Sequence, residues 1–428
     1  MGCKVALGEI CSFSRGASIP RARMFDRGDY LYIHYGDLYK GFDVRIDVDN
    51  PQKPIPYIVD SETIREDQWL SDQDIVYVLT SETVDDLGHA FLFNNPDGLP
   101  AVAGTETTVV HVNRPDLVLP SYLNWLLQSD RFKRLLRQYV KGMKVFRVHP
   151  DDLARIEIEI PSIDDQRRVV GILDAIFERS LINNQINGYL ADLVTAASKK
   201  LYWEYETNGT NLPADWQWVH IEDIAKLVSR GITPKYNEHS NEIVLGQTCI
   251  RGNLVLVENG RRHCPKRINE KWLQRGDLLI NSTGVGSLGR TAQVWFDPEK
   301  LTVDSHITIV RTSNPEHALY LGFWAFAHER YIEALHTGST GQTELPRDYV
   351  KSMSLVLPDA ETLDRFNTIA KPAVKAIVSN QAENKQLSAL RDALLPKLMS
   401  GEIDVSKVDL TQLNSHLVVC AECDENIC

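Results

Sequence analysis

Two kinds of apolar spacing alternate along this chain. Short alternating or β-branched runs are separated by Gly, Pro, Asn and Asp: DIVYVL (74–79), TTVVHV (107–112), ARIEIEIP (154–161), DLLINS (277–282) and HITIVRT (306–312). That pattern predicts strands of a β-rich globular domain. In PSYLNWLLQSDRFKRLLRQY (120–139) and ALYLGFWAFAHERYIEAL (318–335) the apolar residues recur at helical spacing, and each segment predicts one amphipathic helix inside such a domain. Two much longer segments follow. From Ser162 to Trp203 the apolar positions are Val169, Leu173, Ile176, Ile182, Ile186, Leu190, Leu193, Ala197 and Leu201. From Asp359 to Ser400 they are Leu363, Phe366, Ala370, Ala373, Ile377, Leu387, Leu390, Leu394 and Leu398. Spacing of this kind predicts two coiled-coil helices of equal length, about 63 Å each at roughly 1.5 Å per residue. Pro372 is expected to kink or restart the second.

The order of these elements repeats. VALGEICSFSRGASIP (5–20) matches VHIEDIAKLVSRGITP (219–234), with Ile10, Arg15, Gly16 and Pro20 answering Ile224, Arg230, Gly231 and Pro234. LSDQDIVYVLTSETVDDLGHAFLF (70–93) pairs with LQRGDLLINSTGVGSLGRTAQVWF (273–296), each an Asp-led strand, a Ser/Thr/Gly loop and a second strand. Pro161 and Pro358 align just before the two long helices. A period near 200 residues is too long for a solenoid repeat, so the chain holds two copies of a whole domain.

Composition narrows the function. With 428 residues, 43% hydrophobic and 24% charged, the chain is long enough for two or three domains. It has no apolar stretch near the length of a membrane span and no signal-peptide pattern, so the expected location is the cytoplasm, away from membranes. Seven scattered cysteines fit reduced thiols better than a disulfide framework. A net charge of −12 excludes uniform basicity as the means of holding nucleic acid, so any such contact comes from local patches. Charge is indeed sorted. Residues 131–147 carry seven Lys/Arg and no acid, and residues 251–275 carry seven Lys/Arg against two acids. Residues 42–86 hold twelve Asp/Glu against three Lys/Arg.

The duplicated domain, the phrase IPSIDDQRRVVGILD (160–174) before the first long helix and LSALRDALLPKLMSGEI (387–403) closing the second resemble a specificity (S) subunit of a type I restriction-modification system. The resemblance covers residues 5 to about 405. It implies an α+β fold: two β-rich target-recognition domains in internal repeat, joined by two long antiparallel coiled-coil helices. The corresponding division is 1–161 and 204–358 for the recognition domains, 162–203 and 359–400 for the spacer helices, and 401–428 for an acidic, disordered tail. It further implies a non-catalytic subunit that reads a bipartite site in double-stranded DNA and docks two methyltransferase (M) subunits and restriction (R) subunits. Those partners, not this chain, would use S-adenosylmethionine, ATP and Mg2+. Two departures stand out: the second helix begins ETLDRF where a Glu-Gln or Asp-Gln pair is usual in the family, and the chain is markedly acidic.

The expected DNA-contacting residues follow from the patches and loops. In the first copy they are Lys141, Lys144 and Arg147; in the second, Arg251, Arg261, Arg262, Thr283, Ser287, Gln342 and Thr343. Cations position a protein on phosphates, and the candidates for reading base edges are Lys144 and Arg147 in the first copy and Gln342 and Thr343 in the second. The glycine run NSTGVGSLGR (281–290) lacks a P-loop ending and precedes a strand, which argues against nucleotide binding. No methyltransferase, Walker or nuclease motif is present. His416, Cys420, Cys423 and Cys428 have irregular spacing for a zinc site, and no metal is expected. A self-sufficient methylase-nuclease and a scaffold without sequence preference are the alternative readings.

Overall fold

The computed structural model describes residues 3–39, 41–59, 64–209, 211–264, 268–338 and 343–408. It divides into two compact units, 1–179 with 386–428, and 180–385.

In the first unit, strand Cys3–Ala6 pairs antiparallel with Glu157–Ile160, the strand that leads into the first long helix. A five-stranded sheet runs in the order Cys11–Arg15, Thr107–Val112, Ile75–Val78, Ala90–Asn94, Arg45–Asp47. Ile75–Val78 lies at its centre and is buried throughout, which is why that run reads as continuously apolar instead of alternating. Tyr30–Ile33 pairs antiparallel with Tyr57–Ile58 and parallel with Ala101–Ala103.

The second unit repeats the order. Gln217–His220 pairs with Ser354–Leu357; the sheet runs Ala225–Arg230, Ile307–Thr312, Leu278–Asn281, Thr291–Gln293; Ile243–Leu245 pairs parallel with Leu301–Val303. The duplicated Arg-Gly motif is explained by backbone approach. A Cβ on Gly16 would lie 1.8 Å from the Gly104 carbonyl oxygen, and one on Gly231 2.1 Å from that of Val303. The duplicated strand-leading aspartates are buried caps: Ser71 N donates to Asp74 Oδ2 and Gln274 N to Asp277 Oδ2, both at 2.8 Å. Burial raises both carboxyl pKa values, and a hydrogen-bonding side chain opposes this in each copy, His111 at 2.6 Å from Asp74 and Arg311 at 2.7 Å from Asp277.

Each short helical segment proves to be two helices. Pro120–Gln128 stops at Ser129, whose ψ of 145° leaves the helical region and whose Oγ caps Phe132 N, starting Asp130–Arg137. A serine competes for backbone donors, so the cap replaces continuation. Ala318–Ala327 likewise gives way at His328 to Glu329–Ala334.

The long helices span Ile163–Asn208 and Ala360–Ser400. The first runs five residues past Trp203, and the second passes Pro372 without interruption. Proline costs about 3 kcal/mol inside a helix. Here Ala370, Ala373, Val374 and Ile377, all buried in the core of the second unit, hold the helix on both sides of it. Within that unit the helices run antiparallel, because Asn187 meets Asn380 at 2.9 Å while Asn183, one turn earlier, meets Asn384 at 2.9 Å. The apolar stripe is corrected there. Ile186 and Leu193 are 39% and 52% exposed, whereas Asn183, Val194, Ser198 and Tyr202 are buried. In the first unit Leu390 is 47% exposed, so it is not a seam residue, while Val169, Leu173 and Leu398 are buried. No helix of the described residues is long and apolar enough to cross a membrane.

Candidate nucleic-acid interface

In the first unit the basic segment past residue 137 folds into a hairpin. Lys141 N donates to the Arg147 carbonyl at 2.9 Å and Arg147 N returns the bond at 2.8 Å. Phe146–Arg147 then pairs with Thr80–Ser81, fixing the hairpin to the sheet. Gly142 sits at φ 118°, where a Cβ would meet the Val145 carbonyl oxygen at 2.0 Å, so the turn requires glycine. At the tip Met143 is 95% exposed and Lys144 is exposed, with no ion pair from Lys144 among the described residues.

The other two cations are shared with acids that the basic run does not contain. Lys141 Nζ lies 2.7 Å from Asp152 Oδ2, and that hydrogen bond holds the Asp152 carboxyl below its usual range. Arg147 lies 3.7 Å from Glu106. Two adjoining cavities of about 310 and 450 Å³ share Thr80, Glu106 and Arg147; Arg15 and His149 line the first, Tyr35, Tyr39 and Asp86 the second. The face thus offers acceptors and hydroxyls as well as cations. Arg15 reaches the foot of the hairpin, 3.2 Å from His149 Nε2.

The second unit builds the same hairpin from Thr337 and Glu344, whose backbones exchange bonds of 2.7 and 2.9 Å. Arg230, the counterpart of Arg15, again braces its foot: one nitrogen donates to Glu344 Oε1 at 2.8 Å and to the Leu345 carbonyl at 2.7 Å. Thr283 forms a bridge with Glu344, takes a hydrogen bond from Gln247 Nε2 at 2.7 Å and lies 2.8 Å from His306 Nδ1. Ser287 Oγ donates to the Thr283 carbonyl at 3.4 Å. The glycine run is therefore a hairpin connection between Leu278–Asn281 and Thr291–Gln293, with Val285 82% exposed at its tip.

Thr283 and Ser287 stand on the glycine-run connection and Thr343 on the hairpin closed by Thr337 and Glu344, half-buried beside Glu344; the Thr283–Glu344 bridge joins the two loops. Gln342 lies outside the described residues, as do His416, Cys420, Cys423 and Cys428. Arg251, Arg261 and Arg262 stand apart. Arg251 is exposed on the small hairpin Ile250–Val255. Arg261 stacks 3.4 Å from the Tyr236 ring centroid, and Arg262 donates to the Ser240 carbonyl at 2.9 Å beside a cavity of about 350 Å³. Arg15 and Arg230 were visible in the sequence as markers of the repeat. Their bracing role was not, since it depends on hairpins more than 110 residues away.

Residues 3–190 match the family described as the type I restriction modification DNA specificity domain. The chain is 22% identical over 321 residues to the type I restriction enzyme MjaIX specificity subunit of Methanocaldococcus jannaschii, covering 68% of this chain and 71% of that protein. It is 20% identical over 388 residues to the HindI specificity subunit of Haemophilus influenzae, covering 73% and 83%. The crystal structure of a type I S subunit from M. genitalium shares the fold, with a TM-score of 0.57 at 14% identity over 93% of this chain and 96% of that one.

A β-rich domain present twice, each copy followed by a long helix, is the architecture of this chain, and its first copy is the part that matches the specificity domain. Residues 3–190 are thus similar to a type I restriction-modification DNA specificity domain, and most of the chain resembles the specificity subunits of such systems.

Proposed function

We propose that each unit reads one half of a bipartite duplex site and that the long helices set the distance between the halves and dock two methyltransferase and several restriction subunits. Methyl transfer from S-adenosylmethionine and ATP- and Mg2+-dependent restriction belong to those partners, and the complex acts in the cytoplasm. The observation that carries this reading is the twofold occurrence of one device: an arginine bracing the foot of a hairpin anchored to its unit's sheet.

In the first unit Lys144 is the phosphate contact and Arg147 a base reader, with Lys141 partly committed to Asp152. In the second, Thr283, Ser287, Gln342 and Thr343 supply the reading loops, and Arg251, Arg261 and Arg262 hold the backbone. Side chains on such loops suit base edges, while isolated cations suit phosphates. The test is a domain exchange: replacing residues 219–358 with the matching segment of a related subunit and sequencing the methylome. One half of the methylated site is expected to change while the other half and the spacing persist. A change in both halves would refute two independent readers, and equal binding of specific and random duplexes would favour a scaffold without sequence preference.

A further inference from the structure

The duplication makes one cavity in the second unit interpretable. About 510 Å³ of open space lies between Val294 and Trp295 at the outer end of the sheet and Lys371, Val374, Lys375 and Val378 of the second long helix. In the first unit a strand of the chain itself runs along the corresponding sheet edge. Phe91 faces Val76 and Ala292 faces Leu279, and Val76 and Leu279 each stand two residues after the buried aspartate of their strand. Residues 92–94 therefore correspond to 293–295. Strand Arg45–Asp47 lies parallel along Leu92–Asn94. In the second unit the outward pairing of the edge strand is a single bridge, Asn253 to Ala292, and among the described residues no strand continues it.

What that strand does in the first unit is specific. Arg45 lies 3.0 Å from Asp174 and 3.6 Å from Glu178 of the first long helix, with its guanidinium 5.8 Å from the Phe177 ring centroid. Aligned on Pro161 and Pro358, those three positions are Lys371, Lys375 and Val374 in the second helix. The two acids that hold a cation have become two cations.

We propose that the cavity receives an extended segment of a partner protein, which places a carboxylate against Lys371 and Lys375 as the first unit places Arg45 against Asp174 and Glu178. The lining contains no acid. Lys375 makes no ion pair among the described residues, and Lys371 holds Glu316 at 2.6 Å in a pair whose members are both half-exposed. Such a pair contributes little and yields readily to a competing carboxylate. Aliphatic neighbours of that carboxylate would bury against Val294, Trp295, Val374 and Val378, and the open sheet edge supplies main-chain hydrogen bonds, as in other cases where a peptide extends a sheet. The inference rests on the repeat and not on the reading of DNA.

The experiment uses the full chain and a fluorescein-labelled peptide of residues 42–48, FDVRIDV, in two forms: the natural one and one carrying Arg45→Glu. Fluorescence anisotropy is expected to show at least tenfold tighter binding of the glutamate peptide, and the double variant Lys371→Glu/Lys375→Glu is expected to invert the preference. Both lysines are exposed, so folding is not at risk. Equal affinities, no saturable binding, or an unaltered preference in the double variant would overturn the proposal. Residues 409–428 carry four acids and no Lys or Arg. Binding that appears only after their removal would overturn the assignment to a partner, because that segment would then hold the cavity. The assay contains no DNA, so its outcome is separate from that of the domain exchange.

Discussion

Replacing Gln166 by leucine puts into the first copy what the second copy already has. Gln166 is fully buried at the start of the first long helix: its Oε1 accepts from Leu119 N at 2.9 Å, and its Nε2 donates to the carbonyls of Leu117 at 2.8 Å and Pro161 at 3.0 Å. The aligned residue, Leu363, is 3% exposed within an apolar cluster. Gln166→Leu keeps roughly the volume and removes all three bonds. The Leu119 amide loses its acceptor at a cost of about 1–2 kcal/mol, and the two carbonyl bonds together contribute about 1–2 kcal/mol more. Burying the leucine side chain returns about 1 kcal/mol in a site with polar walls. The expected net loss is about 2 kcal/mol, roughly a 30-fold shift in the equilibrium between folded and unfolded first unit. Urea unfolding should show a lower midpoint at unchanged slope, and hydrogen exchange should show accelerated loss of the Leu119 amide. A variant within about 0.5 kcal/mol of the parent, with the Leu119 amide still protected, would refute the role given to Gln166.

Leu390→Asp is expected to change stability by less than about 0.5 kcal/mol because the side chain is half in water, whereas Ile377→Asp, at 2% exposure, should cost more than about 3 kcal/mol; denaturant titration of both variants checks this. In salt titrations of duplex binding, Lys144→Ala should lower the slope of log K against log salt by about one, and Lys141→Ala by clearly less because Asp152 already neutralises it; equal slopes would return both to the solvated surface. Asp359 accepts from Thr362 N at 2.9 Å, from Thr362 Oγ1 at 2.8 Å and from Trp216 Nε1 at 2.7 Å, which holds its pKa at about 2, below the ordinary 3.8. A depressed carboxylate stabilises fully above the unfolded value and loses that contribution as pH falls from about 3.8 through about 2. Acid unfolding of the second unit should therefore be less steep in that window for Asp359→Asn than for the parent, as read by circular dichroism.

The departure at the second helix start also acquires a physical account. Ser162 and Asp359 occupy the same capping position, each accepting from the amide three residues on, at 3.2 and 2.9 Å. The cap is kept; what differs is the next turn, where a glutamine tying down the Leu117–Leu119 loop is replaced by a leucine joining the core. One local choice selects between hydrogen bonds and apolar contact, and the fold is preserved either way.

The sequence by itself determined the duplication, the β-rich nature of each copy, the two long helices and the loops that carry Lys144, Arg147 and Thr343, because strand alternation, helical period and turn residues are written locally. It also carries the family resemblance, through motifs at both helix junctions. Only the tertiary structure decided which helix positions are buried. A period of three or four defines a stripe, but whether Leu193 or Val194 faces inward depends on the surface packed against it, and a one-residue error turns the stripe by about 100°. Interruption at Pro372 was likewise decided by neighbours, since the burial of Ala370, Ala373 and Ile377 outweighs one missing hydrogen bond. The same holds for charge. Seven cations in a row look free along the chain, yet Asp85, Glu106 and Asp152 reach three of them, because Coulomb attraction acts through space and the acids lie elsewhere in the sequence.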